Sequence, residues 1–358
     1  MSHIQLQTGD LLQAPAQALV NTVNCAGVMG KGIALQFERT FPANTRAYKA
    51  ACKAKTLRPG DVLPVPIHPE IGRDLPHYIL NFATKDHWRS PSRLEWIETG
   101  LCQLVSHVQK HGLTSIAIPP LGCGNGGLQW EVVRPLIEAA FAPLTNVQVW
   151  IFAPEGAPVA AQMARASKAP RLTQTAALYI RLLARYSVID LQFSLLELQK
   201  LAYFLQEAGE PLRLRFEKRT YGPAARELYP MLRTWEGHWT LGFGDGTGGP
   251  NAPMHLKSEI IEAADDFLRQ NPAPDSEGHV HEVLTLIEGM DTALGLELLA
   301  SIHWVARHNP AAAADWQVAL HDVRAWNHHK KQTFRAEWVE IGWQQLQTHG
   351  WLENLSPA

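Results

Sequence analysis

The stretch Val20–Ala34, "VNTVNCAGVMGKGIA", reads as an apolar strand that breaks into a glycine-rich loop and then opens a helix. Glycines let backbone N–H groups approach a ligand closely, and the helix start beyond them adds a partial positive charge, so the segment has the parts of an anion cradle. Two familiar phosphate loops do not fit it. A P-loop needs Ser or Thr after its lysine, and Lys31 is followed by Gly32. A dinucleotide fingerprint needs G-x-G-x-x-G, and the glycines here are spaced differently.

A second such loop lies at Ile118–Trp130, "IPPLGCGNGGLQW", again between an apolar strand and a helix. Two loops of this kind could hold the two sides of one pyrophosphate. Around them the periodicity predicts strands at 4–7, 18–23, 62–67, 78–83, 115–119 and 147–152, and helices at 33–40, 44–54, 92–111 and 130–141. Strand–helix alternation of this kind implies an α/β domain with a sheet flanked by helices. The Ala/Pro-rich stretch 156–170 is the linker candidate, dividing a domain at 1–155 from one at 171–358. The second half reads as mainly α-helical, with Leu198, Leu201, Ala202 and Leu205 in one stripe, and Gly242–Pro253 as a flexible loop by composition.

The 358 residues are 46% hydrophobic and 18% charged, with no apolar run of membrane-spanning length and no signal peptide at the N-terminus. Four cysteines without zinc-like spacing point to reduced thiols in a cytoplasmic protein. The net charge of −2 is split: residues 1–169 carry 15 Lys+Arg and 11 Asp+Glu (+4), the remainder 17 and 23 (−6). That asymmetry suggests halves with different partners.

Thr8-Gly9-Asp10-Leu11, Asn21 to Ala34 and Gly122 to Leu128 together resemble the macrodomain family, the ADP-ribose-binding fold, over roughly residues 1–155. The resemblance implies a mixed sheet flanked by helices and a set of ligand contacts. Asp10, beside Leu11, would accept a hydrogen bond from the adenine amine, and Phe152 would stack on adenine. Asn24 would bond the distal ribose. Gly30, Lys31, Gly32 and Ile33 would line the diphosphate and distal ribose, and Gly122, Cys123, Gly124, Asn125 and Gly126 would wrap the other side. No cofactor or metal is implied.

"LNFATKDHWR", Leu80–Arg89, looks like the branch that holds terminal ADP-ribose glycohydrolases and the DarG antitoxins, in which a lysine at this place is essential to hydrolysis. Here it is Lys85. An amine of lowered pKa could attack C1″ of ADP-ribose, or as a cation stabilise developing negative charge. The glycohydrolases carry an aspartate in the second glycine loop; Asn125-Gly126-Gly127 has none, and DarG-like sequences share that departure. Cys25 and Cys123 beside the loops read as small buried thiols. His279–His281 and Asn327–His329 read as surface histidines rather than a metal site.

In the second half, Lys200-Leu201-x-Tyr203-Phe204 followed by Tyr221-Gly222-Pro223 resembles the SocA-like (Panacea) antitoxin domain. The combination implies a DarG-type antitoxin, with a macrodomain that removes ADP-ribose from thymidine bases of single-stranded DNA and a helical domain that binds the DarT toxin. A non-catalytic ADP-ribose reader, and a hydrolase of ADP-ribosylated protein carboxylates, are the competing expectations.

Overall fold

The computed structural model describes residues 3–67, 75–156, 158, 160–163, 168–187, 192–353 and 355. The chain divides into two compact units, 1–167 with 245–247, and 168–244 with 248–358. Part of the expected linker, including residues 164–167, lies outside the described residues.

The first unit is built on β1 (Ile4–Gln7), β2 (Ala18–Asn24), α1 (Gly32–Thr40), α2 (Pro42–Lys53), β3 (Val62–Pro66), β4 (Tyr78–Lys85), α3 (Leu94–Lys110), β5 (Ser115–Ile118), α4 (Trp130–Phe141) and β6 (Gln148–Phe152). Its six-stranded sheet has the order β1-β6-β5-β2-β4-β3. All neighbours are parallel except β3, which runs antiparallel to β4. Alternation along the strands serves two faces. Val20, Leu80, Phe82, Ile116, Ile118, Val149 and Ile151 meet Ile97, Leu101 and Leu104 of α3 and Val133, Ile137 and Phe141 of α4. Leu19, Ile79, Ala117 and Phe152 face the other way, toward Phe37 of α1. α1 and α2 are separated by Phe41 alone; Pro42 ends the first by restricting the residue before it and starts the second at a position that needs no N–H.

One polar group sits inside this core. The Asn21 side chain donates to Asn81 Oδ1 (2.9 Å), and Asn81 and Asn44 exchange hydrogen bonds of 2.6 and 3.1 Å. All three are fully buried. They tie β2, β4 and α2 together in the dry interior, although the Asn21 Oδ1 is left without a hydrogen-bond partner among the described residues.

The second unit comprises α5 (Gln174–Tyr186), β7 (Gln192–Ser194), α6 (Leu195–Glu207), β8 (Phe216–Arg219), β9 (Gly222–Ala225), α7 (Leu228–Trp235), β10 (Thr240–Leu241), β11 (Pro253–Leu256), α8 (Ser258–Gln270), α9 (Pro274–Ile287), α10 (Ala293–His308), α11 (Pro310–Ala314), α12 (Trp316–Trp326), α13 (His328–Thr333) and α14 (Ala336–Thr348). Helices dominate, but two small sheets, β10-β11-β7 and β8-β9, join them. α6 starts on a reciprocal capping box between Ser194 and Glu197. α6 and α10 are buried nearly all round, which marks them as the centre of the unit. Within Gly242–Pro253, Phe243 is buried, and the N–H groups of Gly242 and Phe243 donate to the Glu236 carboxylate.

Candidate functional site

Parallel strands place their following loops on one edge, where open α/β sheets bind ligands. Here β1, β6, β5, β2 and β4 are consecutive neighbours, so the expected ligand contacts (Asp10, Leu11, Asn24, Gly30–Ile33, Lys85, Gly122–Gly126 and Phe152) lie at or just beyond these strand ends. At about 4.8 Å per strand the row from β1 to β4 spans roughly 19 Å, room for an elongated ligand laid across the strand ends.

At one end, Gln7 of β1 pairs with Phe152 of β6. Asp10 follows β1 and caps a 3₁₀ turn, its Oδ1 accepting the Leu12 N–H at 2.9 Å; the turn itself, Leu11–Gln13, buries Leu11. Phe152 is only 8% exposed and packs with Leu11, Leu12 and Phe37, and Ile33 lies against the same cluster.

In the middle, the loop after β2 is braced by Asn24. Its amide donates to the Val28 carbonyl (2.6 Å), and its Oδ1 accepts the N–H groups of Ala26 (3.0 Å) and Val28 (3.3 Å). Gly27 and Gly32 adopt positive φ, which suits glycine. Lys31 precedes α1 as its N-cap residue and is exposed. The loop after β5 is held by turns from Cys123 N–H to the Pro120 carbonyl, Gly127 N–H to Gly124, and Leu128 N–H to Gly122.

At the other end, a register shift between Val23 and Asn24 sets Lys85, the last residue of β4, opposite Asn24. Lys85 is buried, and its Nζ donates to the Asn125 carbonyl of the second glycine loop. Burial pulls its pKa below the ordinary lysine value, and among the described residues no acidic side chain offsets this. The backbone ties the three loops together: Cys25 N–H donates to the carbonyls of Lys85 and Asp86, and Ser92 N–H to that of Gly126. Burial, with help from nearby Asp86, pushes the Cys25 thiol up to about 12, and Cys123 rises to about 11 for the same first reason. Both are therefore protonated and poor nucleophiles.

Gly126 carries a reason of its own. A Cβ there would lie 2.2 Å from the Gly122 carbonyl oxygen and 2.3 Å from Ser92 Oγ, so the close approach is to the protein's own chain. Ser92 Oγ is buried beside this loop and has no hydrogen-bond partner among the described residues. Sequence reasoning passed over Ser92, placing it at the start of a helix; its signal is only in three dimensions.

The Macro domain family matches residues 20–137. A DNA ADP-ribosyl glycohydrolase of Thermus aquaticus is 42% identical over 96% of this chain and 92% of its own length. The chain belongs to that glycohydrolase family. A DNA ADP-ribosyl transferase–DNA ADP-ribosyl glycohydrolase fusion protein of Thermosipho africanus is 34% identical over 42% of this chain and 42% of its own length. The solved macrodomain of Mycobacterium tuberculosis DarG is 46% identical over 43% of this chain and 100% of its own, with a TM-score of 0.42. The family's full-length match extends through the second unit. There the two resembling motifs meet, because Lys200 Nζ donates to the Pro223 carbonyl at 2.7 Å. Of the histidines weighed for metal, His279 lies beside Glu210 (3.3 Å) and His329 beside Glu297 (3.1 Å).

Proposed function

We propose that this glycohydrolase cleaves the bond between C1″ of ADP-ribose and a thymidine base in single-stranded DNA, and that residues 171–358 separately bind and inhibit a DarT-type transferase. The observation that carries the first part is the seat of Lys85: a buried amine with no carboxylate partner among the described residues, donating to the loop that would wrap the diphosphate. The ligand would lie along the strand ends, with adenine toward Asp10 and Phe152. Asp10 keeps Oδ2 for the adenine amine, while Phe152 offers only the small exposed part of its ring. The diphosphate would run between Gly30–Ile33 and Gly122–Gly126, and the distal ribose would reach Asn24 and Lys85.

Burial favours the neutral amine, which suits addition to C1″. A Lys85 N–C1″ bond forms as the base–C1″ bond breaks. The base leaves and takes up a proton, the lysyl adduct opens to a Schiff base, and water hydrolyses it to release ADP-ribose and the free amine. A reader of ADP-ribose would have no use for such a lysine.

The second part is supported by the Thermosipho relative, whose name joins transferase and glycohydrolase in one chain. Charge supports it too. Glu259, Glu262, Glu282 and Glu288 are exposed on or just beyond α8 and α9, whereas Asp265 and Glu277 pair with Arg181, and Asp266 pairs with Arg269. An enzyme that modifies single-stranded DNA needs a basic groove, and carboxylates presented to it would exclude the strand and speed association.

The test is incubation of wild type and Lys85→Ala with a thymidine-ADP-ribosylated oligonucleotide, beside an ADP-ribosylated protein carboxylate. Wild type should release ADP-ribose from the oligonucleotide; Lys85→Ala should lose turnover and keep ADP-ribose binding, because the amine acts mainly in the transition state. Full activity of the variant, or activity on the protein ester alone, would overturn the reading. For the second part, the full chain carrying Lys85→Ala should still inhibit the transferase, in competition with single-stranded DNA and less well as salt rises.

A further inference from the structure

The loop between β4 and α3, Asp86–Arg93, carries more than the end of β4 requires. Its ends are fixed: the Asp86 carbonyl accepts from Cys25 N–H, and Ser92 N–H donates to the Gly126 carbonyl. Its middle is a turn, with Ser90 N–H donating to the His87 carbonyl and Arg89 N–H to His87 Nδ1. At the top of this anchored turn Trp88 is 42% exposed, and it is the one large aromatic side chain of the first unit that is exposed among the described residues. The Arg89 guanidinium lies 4.4 Å from the Trp88 ring centroid, and the His87 ring 5.3 Å from it. A second pair, Arg93 over Trp96 at 5.1 Å, follows at the start of α3. These are the only two cation–aromatic pairs of the first unit among the described residues.

An indole left in water on a fixed turn packs no core. With cations beside it, it has the composition of a surface that stacks nucleobases, since every base presents a π-face and the strand beside it is anionic. Its position sets which bases. Trp88 is three residues beyond Lys85, so their Cα atoms are at most about 11 Å apart. That corresponds to one to three nucleotides at roughly 3.4 Å per base.

We propose that Trp88, with Arg89 beside it, is the platform on which a base flanking the modified nucleotide stacks, and that it makes the enzyme prefer a single strand of nucleic acid over an isolated modified nucleoside or a modified protein. This deepens the function proposed above and rests on it. Stacking and strand contact change how the strand is held and leave the bond-breaking groups as they are.

The test uses the full chain with two substrates, ADP-ribosylated thymidine as the free nucleoside and the same adduct inside a short single-stranded oligonucleotide. Wild type should turn over the oligonucleotide with the higher kcat/KM. Trp88→Ala should lower kcat/KM for the oligonucleotide roughly five- to a hundred-fold, mostly through KM, from the worth of one base–aromatic stack. The nucleoside should change by less than about three-fold, Trp88→Tyr should restore most of the loss, and Arg89→Ala should flatten the salt dependence. Equal effects of Trp88→Ala on both substrates, or none on either, would overturn the platform. If wild type turns over neither substrate, the assigned reaction fails, and the platform is then judged by binding of unmodified single-stranded DNA. Equal affinity of wild type and Trp88→Ala for that strand would reject it, and a five-fold or greater loss would support it.

Discussion

Lys200→Met should stabilise the second unit, although it removes a lysine from the motif that carries that unit's resemblance. Lys200 is fully buried in α6, and its one hydrogen bond among the described residues is to the Pro223 carbonyl. Burial, helped by the nearby Lys330 cation and opposed by Glu297, brings its pKa down to about 7 from 10.5. At 1.36 kcal/mol per unit, keeping this amine neutral in the folded state costs about 5 kcal/mol at neutral pH. Met has similar reach and no charge. Its introduction gives up one hydrogen bond and leaves a buried carbonyl less well satisfied, a loss of about 1–3 kcal/mol. The net gain is about 2–4 kcal/mol, which for a domain of this size raises Tm by about 4–15 °C. The sign against pH follows from proton counts. Between about pH 7 and the ordinary lysine pKa the unfolded chain holds a proton that the folded one lacks, so wild-type stability rises with pH in that window. The gain from Met is therefore greatest at or below about pH 7 and fades toward about pH 10. Thermal and urea unfolding of the full chain at both pH values measures it. A variant less stable than wild type at neutral pH, or a gain independent of pH, would refute the account.

For Lys85 the direction of its pKa makes a kinetic prediction: if the neutral amine attacks C1″, kcat rises with pH through a value below that of free lysine and then levels, and borohydride traps an adduct. A rate that falls over the same range would assign the ammonium form instead. Asp10→Ala should weaken ADP-ribose binding roughly ten- to a hundred-fold, the worth of one hydrogen bond to a charged group; calorimetry on a folded variant decides it. Gly126→Val should lower both affinity and turnover, because its Cβ would strike the Gly122 carbonyl and force the loop to move, whereas Gly124→Ala meets nothing within 4 Å and should leave the ligand-free fold unchanged in spectrum and melting. Charge reversal at Glu259 and Glu262, which form no ion pair among the described residues, should slow association with the transferase, and reversal at Asp265 should also cost the Arg181 pair.

The first unit was readable because its signals are local. Each glycine loop follows an apolar strand and precedes an amphipathic helix, and the strands the periodicity marks agree with β1–β6 to within two residues at either end. What escaped depends on contacts distant in sequence. Asn21 looks like part of the ligand loop, yet it belongs to a buried triad with Asn81 and Asn44, 60 and 23 residues away in sequence. The hydroxyl of Ser92 is placed only when α3 packs beside the second loop. The small strands of the second unit run two to four residues, too short for alternation to show, and β8 and β9 are held as much by side chains as by each other: Gln199 bonds Ala225, and Trp326 and Asn327 bond the carbonyls of Arg219 and Thr220.

Lys85 and Lys200 show why a perturbed amine alone does not locate chemistry. Both are buried, both have pKa values lowered first by desolvation, and each donates to a backbone carbonyl. Perturbation of that kind marks functional sites and structural lysines alike. Their surroundings separate them. Lys200 lies in the middle of a helix that is buried nearly all round. A Cβ on Gly222 would come within 3.2 Å of its amine, so the turn is closed over it. Lys85 ends a strand at the edge where three loops converge, and its carbonyl partner belongs to a loop whose glycines leave space on the outer side: Gly124 and Gly127 have no heavy atom within 4 Å of an added Cβ. An amine sealed under a turn can hold that turn; an amine at an open strand end can reach a ligand. That difference in access, rather than the shift they share, is the physical ground for proposing chemistry at Lys85 and scaffolding at Lys200.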